Sequence, residues 1–353
     1  MINKLYLLLI TLFLSSYFYS IVEEDPLPTL GDYSSASISL SGEYELGRLW
    51  LAMYRGSTKE HSDPLMRTYL EDLIYRLSET SEVRDRRFEF IILEDESINA
   101  FAAPGGIIGI NLGMFLNTQR EGELASVMCH ELAHLSQRHY ARSQNRSSPL
   151  ANALMILASI AVAAASRNPE AIVIAPAAMQ QMSINYTRSN EKEADRIGFN
   201  NLVKAGFDPN DMTMMFQRMQ DKYQRDDSEQ FSYLMTHPLP SERLTDMRIR
   251  ADNISKPSEG SFRDNLDFYF MQKRSEIWAE KDTKELIKKY RKDLKSDQRN
   301  VSLSSRYGLA LALKKEKQYE ESFIILRELI TEIPTTLVLE SSLMEIHLSA
   351  KNY

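Results

Sequence analysis

The spacing of apolar residues predicts a mainly helical chain. Folded structure is expected to begin at Glu43, where apolar residues start to recur at helical intervals. A second helix is expected after Asp63, because a capping residue followed by a proline at the first helical position is a common helix start. The run from Glu121 to about Arg142 also reads as one helix. The apolar stripe of the first helix consists of Leu46, Leu49, Trp50 and Met53.

A small β-structure interrupts these helices. Phe88 to Glu94 is dense in aromatic and β-branched residues, and Ile107 to Leu112 is a second segment of this kind. Between them, Asn99 to Gly106 contains a Pro-Gly-Gly turn signal. We therefore predict a hairpin between the two segments, within a mainly α fold.

The N-terminus has the pattern of a secretory signal peptide. A short basic start, Met1 to Lys4, precedes an apolar run from Leu5 to Val22 that carries no charge. We expect residues 1–20 to direct export and residues 21–42 to form a flexible lead-in. An uncleaved membrane anchor is the alternative, because the uncharged run just reaches the length of a spanning helix.

Two further apolar stretches, Leu150 to Ala165 and Ala171 to Met182, follow the Glu121–Arg142 run. The first is short for a membrane span, and its alanines are only weakly apolar. We interpret the pair as a buried or cleft-covering hairpin. Contact with a membrane surface, which would give a peripheral membrane association, is the alternative.

Length and composition allow two folded parts. A chain of 353 residues that is 43% hydrophobic has room for about two domains. Residues 252–262 have linker composition and divide a first domain, 43–251, from a second, 263–353. The formal charge of −7 gives no electrostatic reason to expect a nucleic-acid partner. The single cysteine, Cys129, excludes an intrachain disulfide.

The second domain has the pattern of tetratricopeptide-like helical repeats. Tyr319 and Tyr353 are 34 residues apart, which is the period of that repeat. The chain stops where the second helix of the next repeat is expected, and this would leave Leu343 and Ile346 without cover. We therefore expect a truncated array of repeats.

The candidate chemistry lies in the sequence His130-Glu131-Leu132-Ala133-His134. Residues four apart share one helix face, so His130 and His134 can bind one metal ion while Glu131 points at its open side. Glu191 lies on a later apparent helix and completes the His, His and Glu set that is common for catalytic zinc. Chance is the alternative for so short a pattern, and the Glu191–Asp195 segment argues against it.

Several motifs together resemble metallopeptidase family 48 of the gluzincin group. The similarity extends from about Glu43 to Tyr353. Within the family, the chain is most similar to a secreted, periplasmic type that carries tetratricopeptide repeats and acts in outer-membrane protein assembly and quality control. The motifs are Asn99–Gly106, His130–His134, Gln137–His139, Glu191–Asp195 with Gly198, and His237–Pro238 with Arg243.

The resemblance implies a helical zincin-type domain with a small sheet, and one Zn²⁺ per chain held by His130, His134 and Glu191. It implies Glu131 as the general base and Asp195 as a catalytic-site residue that orients a ligand imidazole. It also implies unfolded or misassembled outer-membrane proteins as clients. The repeat domain would contact the outer-membrane assembly machinery.

Asn99, Ala100, Phe101 and Ala102 form the candidate substrate-binding strand. A strand shortly before the zinc helix is where such proteases line the cleft, and an extended peptide binds there by adding to a sheet edge. From the pattern alone, an ordinary sheet edge is an equal alternative.

His237 lies in a loop flanked by Pro238 and Pro240, in which a histidine is usually a plain surface residue. Its match to the family's His-Pro element favours a role at the metal. The imidazole would either occupy the fourth position and keep the enzyme latent, or stabilise the oxyanion. Arg243 is a candidate for the same oxyanion role.

The predicted function is that of a zinc-dependent endopeptidase of the periplasm that degrades misassembled outer-membrane proteins and assists their assembly as a chaperone. The alternative is a client-binding scaffold with little or latent proteolysis, although a scaffold has no need of Glu131. A third hypothesis, an intramembrane or prenyl-protein protease, would require several spanning helices after the first, and the sequence contains none.

Overall fold

The computed structural model describes residues 38–144, 187–225, 233–234, 237–254, 262–334 and 336–350. The predicted signal peptide and the two apolar stretches after the metal-motif helix lie outside these residues. The elements in chain order are α1 (Leu40–Arg55), α2 (Pro64–Thr80), β1 (Glu89–Leu93), β2 (Ala100–Ala103), β3 (Ile107–Asn111), α3 (Leu112–Asn117), α4 (Glu121–Ser136), α5 (His139–Gln144), α6 (Arg188–Lys204), α7 (Asn210–Arg225), α8 (Ser241–Asp252), α9 (Leu266–Ala279), α10 (Thr283–Asp293), α11 (Arg299–Lys315), α12 (Tyr319–Glu332) and α13 (Leu337–Ala350). The predicted mainly helical fold with a small sheet is confirmed.

Helix α2 begins where the sequence predicts. The carboxylate of Asp63 accepts hydrogen bonds from the backbone N–H groups of Leu65 and Met66, at 2.9 and 3.2 Å, and Pro64 stands at the first helical position. These bonds satisfy donors that have no partner inside the helix.

Helix α1 differs from its prediction in both its start and its buried face. It begins at Leu40, before Glu43, because the Ser39 hydroxyl caps its first turn. Leu49 of the predicted stripe is 46% exposed, whereas Leu51 is buried. The cause is the contact at Gly47, where an added Cβ would lie 2.1 Å from a carbonyl oxygen of the turn before β3.

The sheet has the order β1-β3-β2. Strand β1 pairs with β3 in parallel, and β2 pairs with β3 in antiparallel orientation. The hairpin predicted between Phe88–Glu94 and Ile107–Leu112 is therefore wrong. The strand that the turn connects to β3 is β2, not β1. That turn contains Gly105 and Gly106 at φ 76° and 77°, a backbone region that favours glycine.

The core surrounds helix α4. From Glu121 to His134 this helix is buried on all sides, against α2, α6, α7 and strand β2. Such all-round burial fits the near absence of long charged side chains in its central turns. Strand β2 is an edge strand, and helix α4 lies beside it.

The C-terminal helices continue this core. Phe268 and Phe270 of α9 are fully buried in the same apolar cluster as Tyr69 of α2 and Phe115 of α3. Helices α10, α11, α12 and α13 follow, each packed against the next. The two predicted domains thus share one core, while the assignment of the tail as tetratricopeptide-like repeats stays a prediction.

One side chain ties the C-terminal helices to the N-terminal part of the fold. The largely buried guanidinium of Arg274 on α9 donates to the Asp63 carboxylate that caps α2, to Tyr307 Oη at 2.8 Å and to Glu345 at 2.9 Å. It therefore joins the start of α2 to helices α11 and α13.

Helix α13 has more cover than the sequence suggests. Ile346 is fully buried and Leu343 packs against the core, so the expectation that both lack cover is wrong. The reason is that α13 folds back onto α12 and α11. The exposed apolar side chains of α13 are Leu337, Met344 and Leu348.

Among the helices within the described ranges, none combines the length and apolar character needed to cross a bilayer.

Candidate metal centre

Two crossing helices supply the candidate ligands. Helix α4 carries His130, Glu131 and His134, and α6 carries Glu191 and Asp195. Each pair of residues four apart lies on one helix face, as predicted.

The end of helix α4 differs from the sequence prediction. The run expected to continue to Arg142 breaks after Ser136, and Arg138, at φ 49°, redirects the chain into α5. Helix α6 continues past Gly198 to Lys204, and Gly206 follows at φ 87°. Gly198 lies where α6 crosses α4.

The donor atoms converge in a buried cluster. Nε2 of His130 and Nε2 of His134 are 3.0 Å apart, and the oxygens of Glu191 lie 3.5 and 3.3 Å from them. His237 Nδ1 is 3.1 Å from Glu191 and 3.4 Å from His130. Among the described residues, these four form the group that could hold a metal ion, with donor atoms all within 4.8 Å of one another.

This donor set fits zinc. Two ligands about 2.1 Å from one tetrahedral ion lie roughly 3.4 Å apart, which is close to the separations between these donors. The set consists of the Glu191 carboxylate and the imidazoles of His130 and His134, with His237 as a candidate third imidazole, and all four side chains are buried. Imidazoles and carboxylates are ligand types that zinc prefers.

Buried charges interact strongly at this centre. Burial favours the neutral imidazole of His130, but hydrogen bonds with Asp195 and Glu191 outweigh it and raise the pKa of His130 to about 9. Burial also opposes ionisation of Glu191, yet His237, His130 and His134 hold its pKa well below the ordinary value. Burial lowers the pKa of His134. Glu191 is thus a carboxylate at neutral pH, as a metal ligand must be.

Asp195 and Arg243 lie behind the ligands. Asp195 Oδ1 is 3.0 Å from His130 Nδ1, the ring nitrogen that faces away from the cluster. Arg243 binds Asp195 through two N–H groups, at 2.6 and 2.7 Å, and contacts Glu191 at 2.8 Å. It also donates to the Pro238 carbonyl. These contacts direct the guanidinium at two carboxylates, a geometry that favours ligand positioning over the oxyanion role.

Glu131 faces the edge of the sheet. Its Oε2 accepts a hydrogen bond of 2.9 Å from the Ala102 N–H, and its Oε1 lies 3.6 Å from His237 Nε2. Burial raises the pKa of the Glu131 carboxyl. Because the Ala102 N–H points to Glu131 and away from β3, the outer edge of β2 runs beside this carboxylate. The predicted strand residues Asn99, Ala100, Phe101 and Ala102 are thus next to the candidate base.

The loop of His237 is fixed by a residue that the sequence analysis missed. Tyr233 is buried and its ring stacks on the His237 imidazole, with centroids 4.6 Å apart. The His237 N–H donates to the Tyr233 carbonyl at 2.8 Å, and the Tyr233 N–H donates to Ile98 just before β2. The spacing of four residues between the two rings is the only signal that could have indicated this contact.

His139 lies beside the centre without being one of its candidate ligands. It is fully buried and contacts the Nδ1 of His134, on the side opposite to the four donors. Its partner is Glu193 of α6.

Comparison with known proteins assigns this centre to a family. The model of peptidase family M48 matches residues 64–251, which include all the candidate ligands. The beta-barrel assembly-enhancing protease of Yersinia pestis is 34% identical over 88% of this chain, and that of Escherichia coli K12 is 33% identical over 88%. The mitochondrial metalloendopeptidase OMA1 of Schizosaccharomyces pombe is 24% identical over 65% of this chain.

The alignment does not extend over the whole of these relatives. It covers 64% of each of the two bacterial proteases and 66% of the fission-yeast protein. The predicted metallopeptidase family is confirmed by the family match, and the clustered side chains are of types that can bind a metal ion. On the family match and the bacterial identities, the chain belongs to peptidase family M48.

Proposed function

We propose that this chain is a zinc-dependent endopeptidase. The observation that carries the proposal is the convergence of His130, His134 and Glu191 beside a buried Glu131 that touches a sheet edge. A zinc ion held by these residues would supply a Lewis acid that polarises a peptide carbonyl and lowers the pKa of a bound water.

The chain's own groups account for the remaining steps. Glu131 takes a proton from the attacking water and returns it to the leaving amine. A substrate peptide lies along the outer edge of β2, where β3 does not use the backbone groups of Ala100 or the carbonyl of Ala102. The Ala102 N–H holds Glu131 in place, so the position of the base relative to strand β2 is fixed.

His237 is proposed as a latch. Its Nδ1 is within the donor cluster and its Nε2 faces Glu131, so the imidazole stands between the candidate ligands and the base. Pro238 and Pro240 restrict the backbone on its C-terminal side. An imidazole in the fourth position would exclude the water, and a loop residue can leave more readily than a ligand on a helix.

We further propose a periplasmic location and outer-membrane protein clients. Support comes from the names of the bacterial relatives and from the signal-peptide pattern of residues 1–20. The tail would bind clients or assembly machinery, and the exposed apolar side chains of Ile324, Met344 and Leu348 favour such contacts. A client-binding chaperone with little proteolysis is the second candidate function, favoured by the same exposed side chains.

The decisive experiment compares the purified mature chain with its Glu131→Gln form, using zinc analysis and casein digestion. We expect one zinc per chain in both forms and proteolysis in the first alone, because Glu131 is the base and not a ligand. His134→Ala and Glu191→Ala are expected to lose the metal as well. Equal proteolysis by the chain and its Gln form would refute the mechanism, and no proteolysis by either would favour the chaperone.

A further inference from the structure

The two ligand imidazoles are supported in different ways. Each has one ring nitrogen in the donor cluster and a second nitrogen facing outward. For His130, the outward Nδ1 meets the carboxylate of Asp195 at 3.0 Å. For His134, the outward Nδ1 meets another imidazole, with His139 Nδ1 at 2.9 Å.

The second support continues beyond His139. Its Nε2 lies 3.2 Å from Glu193 Oε2, and that oxygen accepts a hydrogen bond of 3.0 Å from Arg142. Glu193 is thus linked to His134 through His139, whereas Asp195 contacts His130 directly. Both carboxylates lie on α6, and each is held by an arginine from another helix.

An unusual backbone conformation produces this arrangement. Arg138 adopts the left-handed region at φ 49°, which ends α4 and turns His139 back toward His134. For a residue with a side chain this conformation costs roughly 1–2 kcal/mol. It is held by contacts of the Arg138 guanidinium with Glu43 at 3.1 Å and with the carbonyl of Ile38. A strained turn that places one buried histidine against a ligand indicates a role for that histidine.

The contacts allow one arrangement of protons. If His134 uses Nε2 to bind a metal ion, its Nδ1 carries the proton and donates it. His139 must then accept at Nδ1 and carry its own proton on Nε2, where the Glu193 carboxylate accepts it. In this arrangement the His134 N–H donates to His139, and the His139 N–H donates to Glu193. These hydrogen bonds fix both the ring orientation and the tautomer of His134.

We propose that His139 and Glu193 are positioning residues that orient His134 for metal binding, as Asp195 does for His130. The inference rests on the proposed zinc site, but not on the proposed proteolysis. Partners that hold the outer nitrogen of a ligand histidine typically contribute 10- to 100-fold to metal affinity.

The test measures zinc affinity by chelator competition on the full chain, together with the visible spectrum of the Co²⁺ form and the melting temperature of the metal-free protein. His139→Leu removes the acceptor, whereas His139→Asn retains one in its amide oxygen. Glu193→Gln removes the distant charge, and Glu242→Gln, an exposed carboxylate paired with Lys192, is the charge-matched control.

We expect His139→Leu to weaken zinc binding by about 10- to 100-fold and to alter the Co²⁺ spectrum, with the metal-free melting temperature unchanged. His139→Asn should restore most of the affinity, Glu193→Gln should give an intermediate loss, and Glu242→Gln should give none. Unchanged affinity in His139→Leu, or equal losses in the Leu and Asn forms, would overturn the proposal. A lower metal-free melting temperature that accounts for the loss would make the role structural and overturn it too. A wild-type chain that binds zinc but cleaves no casein would refute the proposed function alone.

Discussion

Gly198 lies directly against the backbone of Cys129, at the point where the two ligand-bearing helices cross. A Cβ added to Gly198 would lie 3.0 Å from the carbonyl carbon and oxygen of Cys129 and 3.0 Å from Cα of His130. The missing side chain therefore sets the distance between α4 and α6, and with it the distance between the histidines and Glu191.

Gly198→Ala is expected to push these helices apart. The methyl group would meet backbone, which cannot move aside as a side chain does, and overpacking of this kind costs about 1–3 kcal/mol. We expect a lower melting temperature and weaker zinc binding, measured by thermal unfolding and chelator competition. Gly56→Ala is the matched control, since its added Cβ finds nothing closer than 3.4 Å. Equal effects of the two substitutions would contradict the prediction.

His237→Ala tests the latch. If the imidazole blocks the fourth position, the variant keeps its zinc and cleaves casein faster than the unaltered chain, with increased self-cleavage. If the imidazole stabilises the oxyanion, turnover instead falls around a hundredfold, the usual effect of removing one such donor. Unchanged turnover would show that His237 has no catalytic role.

Asp211→Asn is expected to stabilise the protein at alkaline pH. Asp211 is fully buried against the first turn of α4, and burial raises its pKa from 3.8 to about 7 although Arg120 opposes the shift. Between these values the folded state binds the proton more tightly than the unfolded state. Stability of the unaltered chain therefore falls as pH rises through this window, and stays low above about pH 7.

The measurement is urea unfolding of metal-free protein at pH 4 and pH 8. The two curves should coincide near pH 4, and the Asn form should be the more stable at pH 8. Asp208→Asn removes a charge from the same Arg120 and controls for the loss of the ion pair. A difference that is equal at both pH values would show that the buried carboxyl does not cause it.

Arg274→Met is expected to weaken the attachment of the tail. Losing the hydrogen-bonded ion pairs of this guanidinium costs about 1.5–3 kcal/mol, since Asp63 keeps its two helix-cap bonds and Glu345 keeps Lys314. Arg291→Met breaks a comparable pair with Glu321 on the exposed surface and should cost less than about 1 kcal/mol. Denaturant unfolding of both variants compares the two losses, and similar values would show that Arg274 has no special part in docking.

The sequence predicted the residues of the candidate metal centre because helix periodicity alone decides which residues share a face. The pairs His130–His134 and Glu191–Asp195 needed no knowledge of the fold beyond two helices. The start of α2 was predictable for a similar reason, since Asp63 and Pro64 act on their own helix. These signals are local, and local physics is what a sequence shows most directly.

Features that depend on distant contacts were not predictable in this way. Strand composition identified β1 and β3 but not that they pair in parallel, because alternation of side chains does not encode the partner. The buried face of α1 is decided by its contact at Gly47, and hydrophobicity alone favoured Leu49. The contact of His139 with His134 depends on the left-handed turn at Arg138, and no residue pattern indicates that turn.

The shared core limits how this protein can be regulated. Swinging the tail away would expose Phe268 and Phe270, at roughly 1.5–3 kcal/mol each before any ion pair is broken. A tail opened in this manner would be populated in far fewer than one molecule in a hundred. The shared core therefore favours regulation that leaves the tail docked on the rest of the fold.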